Sequence, residues 1–128
     1  MRLEKELSVL FDFLSLTQIQ TVDTVVEQIA KEYKAILQNL YGNELAELVL
    51  YGSYARGEQH DESDVDFAIV LHNPAMRTAT ELFKIAPVSS RLSLKYGRMI
   101  SSLPVSLQDK QTSMQGIFRE IRKDGITV

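Results

Sequence analysis

Between Gln18 and Tyr41 apolar residues return at steps of three and four: Ile19, Val22, Val26, Ile29, Tyr33, Ile36, Leu37 and Leu40. That spacing predicts a long amphipathic helix. Thr17 is its candidate cap, and Gly42-Asn43 its end. Upstream, Leu3 to Leu14 is apolar on one side and predicts a shorter helix. The pattern then changes. Leu45 to Tyr51, with the run Leu48-Val49-Leu50, reads as a buried strand, and so does Val65 to Leu71, which His72-Asn73-Pro74 closes. Ala75 to Tyr96 returns to helix, with Pro87 expected to break or kink it and Gly97 to end it. Met99 to Val105 predicts a third strand, with Pro104 near its end as an edge position tolerates. Leu107 to Lys123 predicts a last helix, stopped at Gly125. The order predicts an α/β (α+β) two-layer domain, in which the helices pack mainly on one face of a small mixed sheet.

Composition narrows this picture without changing it. A chain of 128 residues is expected to be one domain, residues 1–128, with a real core. There is no internal repeat, low-complexity tract or linker in the sequence. The net charge of −3 argues against long nucleic acid as the main ligand, because backbone binding wants a net basic face. It leaves room for a small polyphosphate carried with a metal. The absence of cysteine removes disulfide and zinc-thiolate chemistry and suits the cytoplasm. No apolar run is long enough to span a bilayer. Glu4, Glu6 and Asp12 spoil a signal peptide.

The chemistry lies between the first two strands, in LYGSYARGEQHDESDVDF (Leu50 to Phe67). Gly52 to Gly57 has the spacing of half a P-loop, but Glu58 and Gln59 stand where Lys and Ser or Thr would be required. Asp64 and Asp66 are two apart on a strand, so both point to one face. Two adjacent carboxylates repel unless a cation lies between them. Mg²⁺ accepts one or two carboxylates and completes its shell with phosphate oxygens and water. An acidic, solvated strand end is the plain alternative. Gly52 permits close backbone approach and Ser53 offers a hydroxyl beside the turn's N–H groups. An ordinary strand-to-loop turn is the alternative there.

Together these residues read Gly52-Ser53, ten residues, then Asp64-x-Asp66, with Arg56-Gly57 inside and an apolar strand on each side. The pattern resembles the nucleotidyltransferase superfamily of DNA polymerase beta, and the length is similar to its minimal branch. The likeness is strong from Glu44 to Leu71 and weaker through KYGRMISSLPVS (Lys95 to Ser106) and IRKDGITV (Ile121 to Val128). The resemblance implies an Mg²⁺-dependent transfer of a nucleotidyl group, AMP from ATP in most of this branch. Asp64 and Asp66 would hold one or two metal ions, and Gly52 and Ser53 would take the triphosphate. Arg56 would contact phosphate or stabilise the turn, and Ser63 would cap or orient the Asp64 turn. The branch's usual partner is a helical HEPN protein in a toxin–antitoxin pair, where the nucleotidyltransferase is the antitoxin and adenylylates a tyrosine on the toxin. A second copy of the chain is the other way to complete a site this small.

The likeness departs at one place. Active members carry a third carboxylate on the next strand after a Gly-Arg-x-apolar run, and here Gly97-Arg98-Met99-Ile100 is followed by Ser101. Three readings stay open: two aspartates suffice, a neighbouring acid such as Glu58 or Asp61 or one from a partner substitutes, or only binding remains. The competing functions are therefore an enzyme that adenylylates a partner, a non-catalytic antitoxin that works by contact, and a small-molecule nucleotidyltransferase. His60, inside the loop, is a candidate phosphate contact or base, against the plainer reading of a solvated histidine. Lys84, Arg91, Lys95 and Arg98 would form a basic stripe on an unbroken helix, but Pro87 favours the plainer reading of a solvated face.

Overall fold

The structure, a computed structural model, describes residues 23–128. The expected helix at Leu3 to Leu14 and the expected cap at Thr17 fall outside them. Helix α1 (Thr24–Tyr41) starts at Asp23, whose carboxylate accepts the Val25 N–H at 2.7 Å and satisfies one of the free donors of the first turn. It ends at Gly42, and one 3₁₀ turn (Gly42–Glu44) leads into strand β1 (Leu45–Tyr51). One helical turn, α2 (Ser53–Arg56), and a loop precede β2 (Val65–Leu71). Helix α3 (Thr78–Tyr96) crosses to β3 (Ile100–Ser106). Two short helices, α4 (Leu107–Thr112) and α5 (Gly116–Asp124), and a two-residue strand, β4 (Ile126–Thr127), follow.

The sheet has the order β3-β2-β1-β4. β1 is antiparallel to β2 and β4, whereas β2 and β3 are parallel. A parallel neighbour needs a crossover, and α3 supplies it. Alternation along the strands divides the core. Leu48, Leu50, Val65, Phe67, Ile69 and Leu71 face α1 and α3, where they meet Ile29, Tyr33, Leu37, Ile85 and Leu92. Val49, Tyr51, Ala68, Val70 and Val105 face the other way and are covered by Phe118 and Ile121 of α5. The α/β class with a small mixed sheet is as expected, with both long helices on one face. The smaller C-terminal helices occupy part of the second face.

Four elements depart from expectation. The helix expected from Gln18 begins at Thr24, because the Asp23 carboxylate caps it there. Pro87 sits inside an unbroken α3. Proline removes a bond to the carbonyl four residues back, that of Phe83. Both residues are exposed, so water can satisfy that carbonyl. The expected single C-terminal helix is two, because Ser113, Met114 and Gln115 leave the helical path and Arg122 donates to the carbonyls of Lys110 and Ser113 (2.7 Å each). Strand β4 was not foreseen, since two residues carry no periodicity.

Asp23 also pairs with Arg98 at 2.9 Å, across the start of α1 and the end of α3. Burial pushes its carboxyl upward, but the Arg98 guanidinium and the first-turn N–H groups outweigh it and hold it below the ordinary aspartate value. A lowered carboxyl contributes stability above its unfolded value, lost as pH falls through the folded one. Asp23→Ala is expected to cost about 1 kcal/mol at neutral pH, mostly the lost cap. Urea unfolding checks this, and the difference from the parent should shrink in acid.

Candidate functional site

The Gly52-Ser53 turn and the Asp64-x-Asp66 pair come together because β1 and β2 are antiparallel, so the end of one lies beside the start of the other. Tyr51 is opposite Asp66 in the register. Both side chains therefore share a face, with Ala68 and Val70, on the α5 side of the sheet. Asp64 belongs to that face by the same alternation and is exposed, whereas Asp66 is half-buried.

Gly52 is the point of closest approach. Its φ is +76°, and a Cβ added there would collide with Asp66 Oδ2. Only glycine lets the turn backbone reach the carboxylate. Gly52 caps α2, and its carbonyl accepts the N–H groups of Ala55 and Arg56 (3.1 Å each). Gly57, at φ +72°, ends the turn in the left-handed region. Tyr54 anchors it from behind: it is buried against the α1/α3 core and accepts a hydrogen bond from Arg98 at 3.2 Å.

The loop back to Asp64 closes on itself. Ser63 Oγ accepts the His60 N–H at 2.9 Å, and the Ser63 N–H donates to the His60 carbonyl at 2.9 Å. Ser63 thus ties down the residues immediately before Asp64. The His60 ring accepts the Glu62 N–H through Nδ1 at 3.3 Å, a local turn contact.

Arg56 leaves the far end of α2. Its Nε donates to Glu58 at 3.0 Å and its Nη1 to Glu120 of α5 at 2.7 Å. Sequence reasoning passed over Glu120, because one glutamate on a charged helix carries no local pattern; only the packing of Phe118 and Ile121 onto the Tyr51 face brings it to Arg56. It stands on the wall of an open cleft of about 650 Å³ along α5.

Asp66 is raised above the ordinary aspartate value. Burial is the main cause, followed by the charges of Asp64 and Glu120; Arg56 and a hydrogen bond with Ser101 oppose it. Tyr51 is pushed up to about 12 by burial, then by Asp66 and Glu120. Ser101 lies directly opposite Asp66 on β3. The register thus sets Ser101 beside Asp66. Ser102 faces the other core and hydrogen-bonds the Tyr33 hydroxyl at 2.6 Å. Among the described residues no three His, Cys, Asp or Glu side chains are grouped so as to hold a metal ion between them.

Three of the four residues of the basic stripe stand in ion pairs. Lys84 meets Glu81 at 3.6 Å, Lys95 meets Glu32 at 2.7 Å, and Arg98 meets Asp23. No described helix is long and apolar enough to cross a membrane.

The chain is similar to known proteins. A proposed protein adenylyltransferase of Methanocaldococcus jannaschii is 36% identical over 101 residues, covering 79% of this chain and 96% of that protein. A second from the same organism is 31% identical over 77 residues, covering 60% of this chain and 70% of the relative. A crystal structure of a toxin–antitoxin with AMP-PNP shares the fold at a TM-score of 0.52 and 16% identity, covering 75% of this chain and 69% of that one. The sequence pattern of the nucleotidyltransferase domain matches residues 22–107, from the start of α1 through the end of β3. That span includes the whole Gly52 to Asp66 arrangement, and the chain belongs to the nucleotidyltransferase domain family.

Proposed function

We propose that the chain transfers AMP from ATP to a hydroxyl of a partner protein, with a tyrosine of a helical, HEPN-type protein as the acceptor, in an antitoxin role. The observation that carries this reading is the contact of the Gly52 backbone with Asp66, which brings an anion-accepting turn against a carboxylate pair. The names of the two archaeal relatives point to protein as the acceptor.

Two carboxylates fit a hard divalent cation that takes its remaining ligands from triphosphate and water, as Mg²⁺ does. The raised Asp66 suits that group, since a carboxylate that is first buried and then set beside the charges of Asp64 and Glu120 gains from a cation. Asp64 and Asp66 would hold the ion; bound there, it supplies neutralisation of charge at the α-phosphate and the leaving pyrophosphate. Gly52 and Ser53 would receive the phosphates, Ser53 through its hydroxyl. Ser63 would keep Asp64 in place. The acceptor oxygen forms a bond to the α-phosphorus, the bond from that phosphorus to the bridging oxygen breaks, pyrophosphate leaves, and the hydroxyl proton passes to water. The chain's part is alignment of these groups, which accounts for most of the acceleration in phosphoryl-type transfer.

The residue opposite Asp66 favours a second reading. Ser101 is a poor metal ligand and no base, so a binding-only antitoxin is the alternative. One experiment separates the two. Protein and candidate partner are incubated with α-labelled ATP and Mg²⁺, beside an Asp64→Asn, Asp66→Asn double variant. Label on a partner tyrosine that vanishes with the double variant is the expected outcome. A stable complex with no label in either lane would leave the binding-only reading.

A further inference from the structure

Arg56 presents a difficulty for a site that must attract a cation. Its charge reaches Asp66, where it stabilises the carboxylate but weakens its pull on a cation. Its backbone is fixed in the turn, where its N–H donates to the Gly52 carbonyl at 3.1 Å. The chain meets this with an acid from another element. Phe118 and Ile121 pack α5 onto the Val49, Tyr51 and Ala68 face, and Glu120, between them in sequence, reaches Arg56 Nη1 at 2.7 Å. Glu58 meets the same guanidinium at Nε, from the chain's own loop. The charge of Glu120 is also felt directly at Tyr51 and at Asp66. On β3, the position opposite Asp66 is the uncharged Ser101.

We propose that Glu120 supplies, from α5, the additional negative charge that lets Asp64 and Asp66 hold a divalent cation, by offsetting Arg56. Glu120 acts through the field at the site and is not itself a ligand, in keeping with the absence of a three-acid cluster among the described residues. The inference rests on the metal–nucleotide reading above and adds a residue to it.

The test uses Mn²⁺ alone, counted by electron paramagnetic resonance at low ionic strength, on the full chain. Glu120→Gln and Arg56→Gln break the same ion pair. If the pair merely held α5 in place, both would weaken binding. If charge is what matters, they move it in opposite directions. Glu120→Gln should weaken Mn²⁺ about fivefold, Arg56→Gln should tighten it by a similar factor, and Glu120→Asp should stay near the parent. Added salt should shrink the differences, since the pair is partly exposed. Equal affinity in Glu120→Gln and parent, loss in both Gln variants, or no Mn²⁺ binding by the parent would each overturn the role of Glu120. The label-transfer experiment judges the nucleotidyl-transfer reading independently: label transfer with unchanged Mn²⁺ binding in Glu120→Gln would sink the inference and leave that reading standing.

Discussion

Gly52→Ala is expected to reduce nucleotidyl transfer by about a hundredfold, as a displacement of about 1 Å at reacting groups does, and to destabilise the fold by about 2 kcal/mol. Two causes act together. At φ +76° and ψ −155° the backbone lies in a region that residues with a Cβ rarely adopt. The new methyl would also collide with Asp66 Oδ2, so either the turn or the carboxylate must shift. Gly97→Ala is the control. Its φ is +65°, but nothing lies within 4 Å of an added Cβ. It should cost about 1 kcal/mol through backbone strain alone and leave transfer unchanged. Urea midpoints beside initial rates check both. Equal losses of activity in the two variants would show that the close approach at Gly52 has no part in the chemistry.

That contrast shows which parts of the site sequence alone could reveal. Asp64 and Asp66 are two apart on an apolar strand, and a period of two is enough to put them on one face. Gly52-Ser53 announces itself as punctuation after a strand. What joins them is the antiparallel register of Tyr51 with Asp66, which the intervening loop does not specify. A motif likeness put Ser101 on the next strand, and β3 starts within one residue of its expected position, but its pairing with Asp66 comes from the parallel register. Glu120 was out of reach. It lies 54 residues beyond Asp66 on a helix whose boundaries were themselves misjudged. The split between α4 and α5 depends on Arg122 gripping two carbonyls, a tertiary event that no hydrophobic period records. In the same way Pro87 signalled a break where exposure of the Phe83 side let the helix continue.

Asp66→Asn is expected to lower transfer by about a thousandfold or more, since an amide removes one charged ligand worth several kcal/mol at the reacting phosphate. The same change should make the metal-free protein more stable at neutral pH. Asp66 is raised chiefly by burial, then by Asp64 and Glu120. A carboxyl whose folded value lies above its unfolded one contributes stability in acid, and that contribution is lost as pH rises through the folded value. At neutral pH the ionised Asp66 is therefore a cost to the fold, and asparagine removes it. The parent should accordingly lose part of its stability as pH rises above the ordinary aspartate value and through the raised one, and Asp66→Asn should lose less. Mg²⁺-ATP reverses the order. A ligand that binds only the folded state stabilises it by about 2.7 kcal/mol at a hundred times its dissociation constant, and the variant should receive little of this. Thermal melts of both proteins, with and without Mg²⁺-ATP, give the four values required. Variant above parent without ligand and below it with ligand is the expected pattern. A variant less stable than the parent in both conditions would mean that Asp66 is held for the fold, with no strain kept in reserve for a cation.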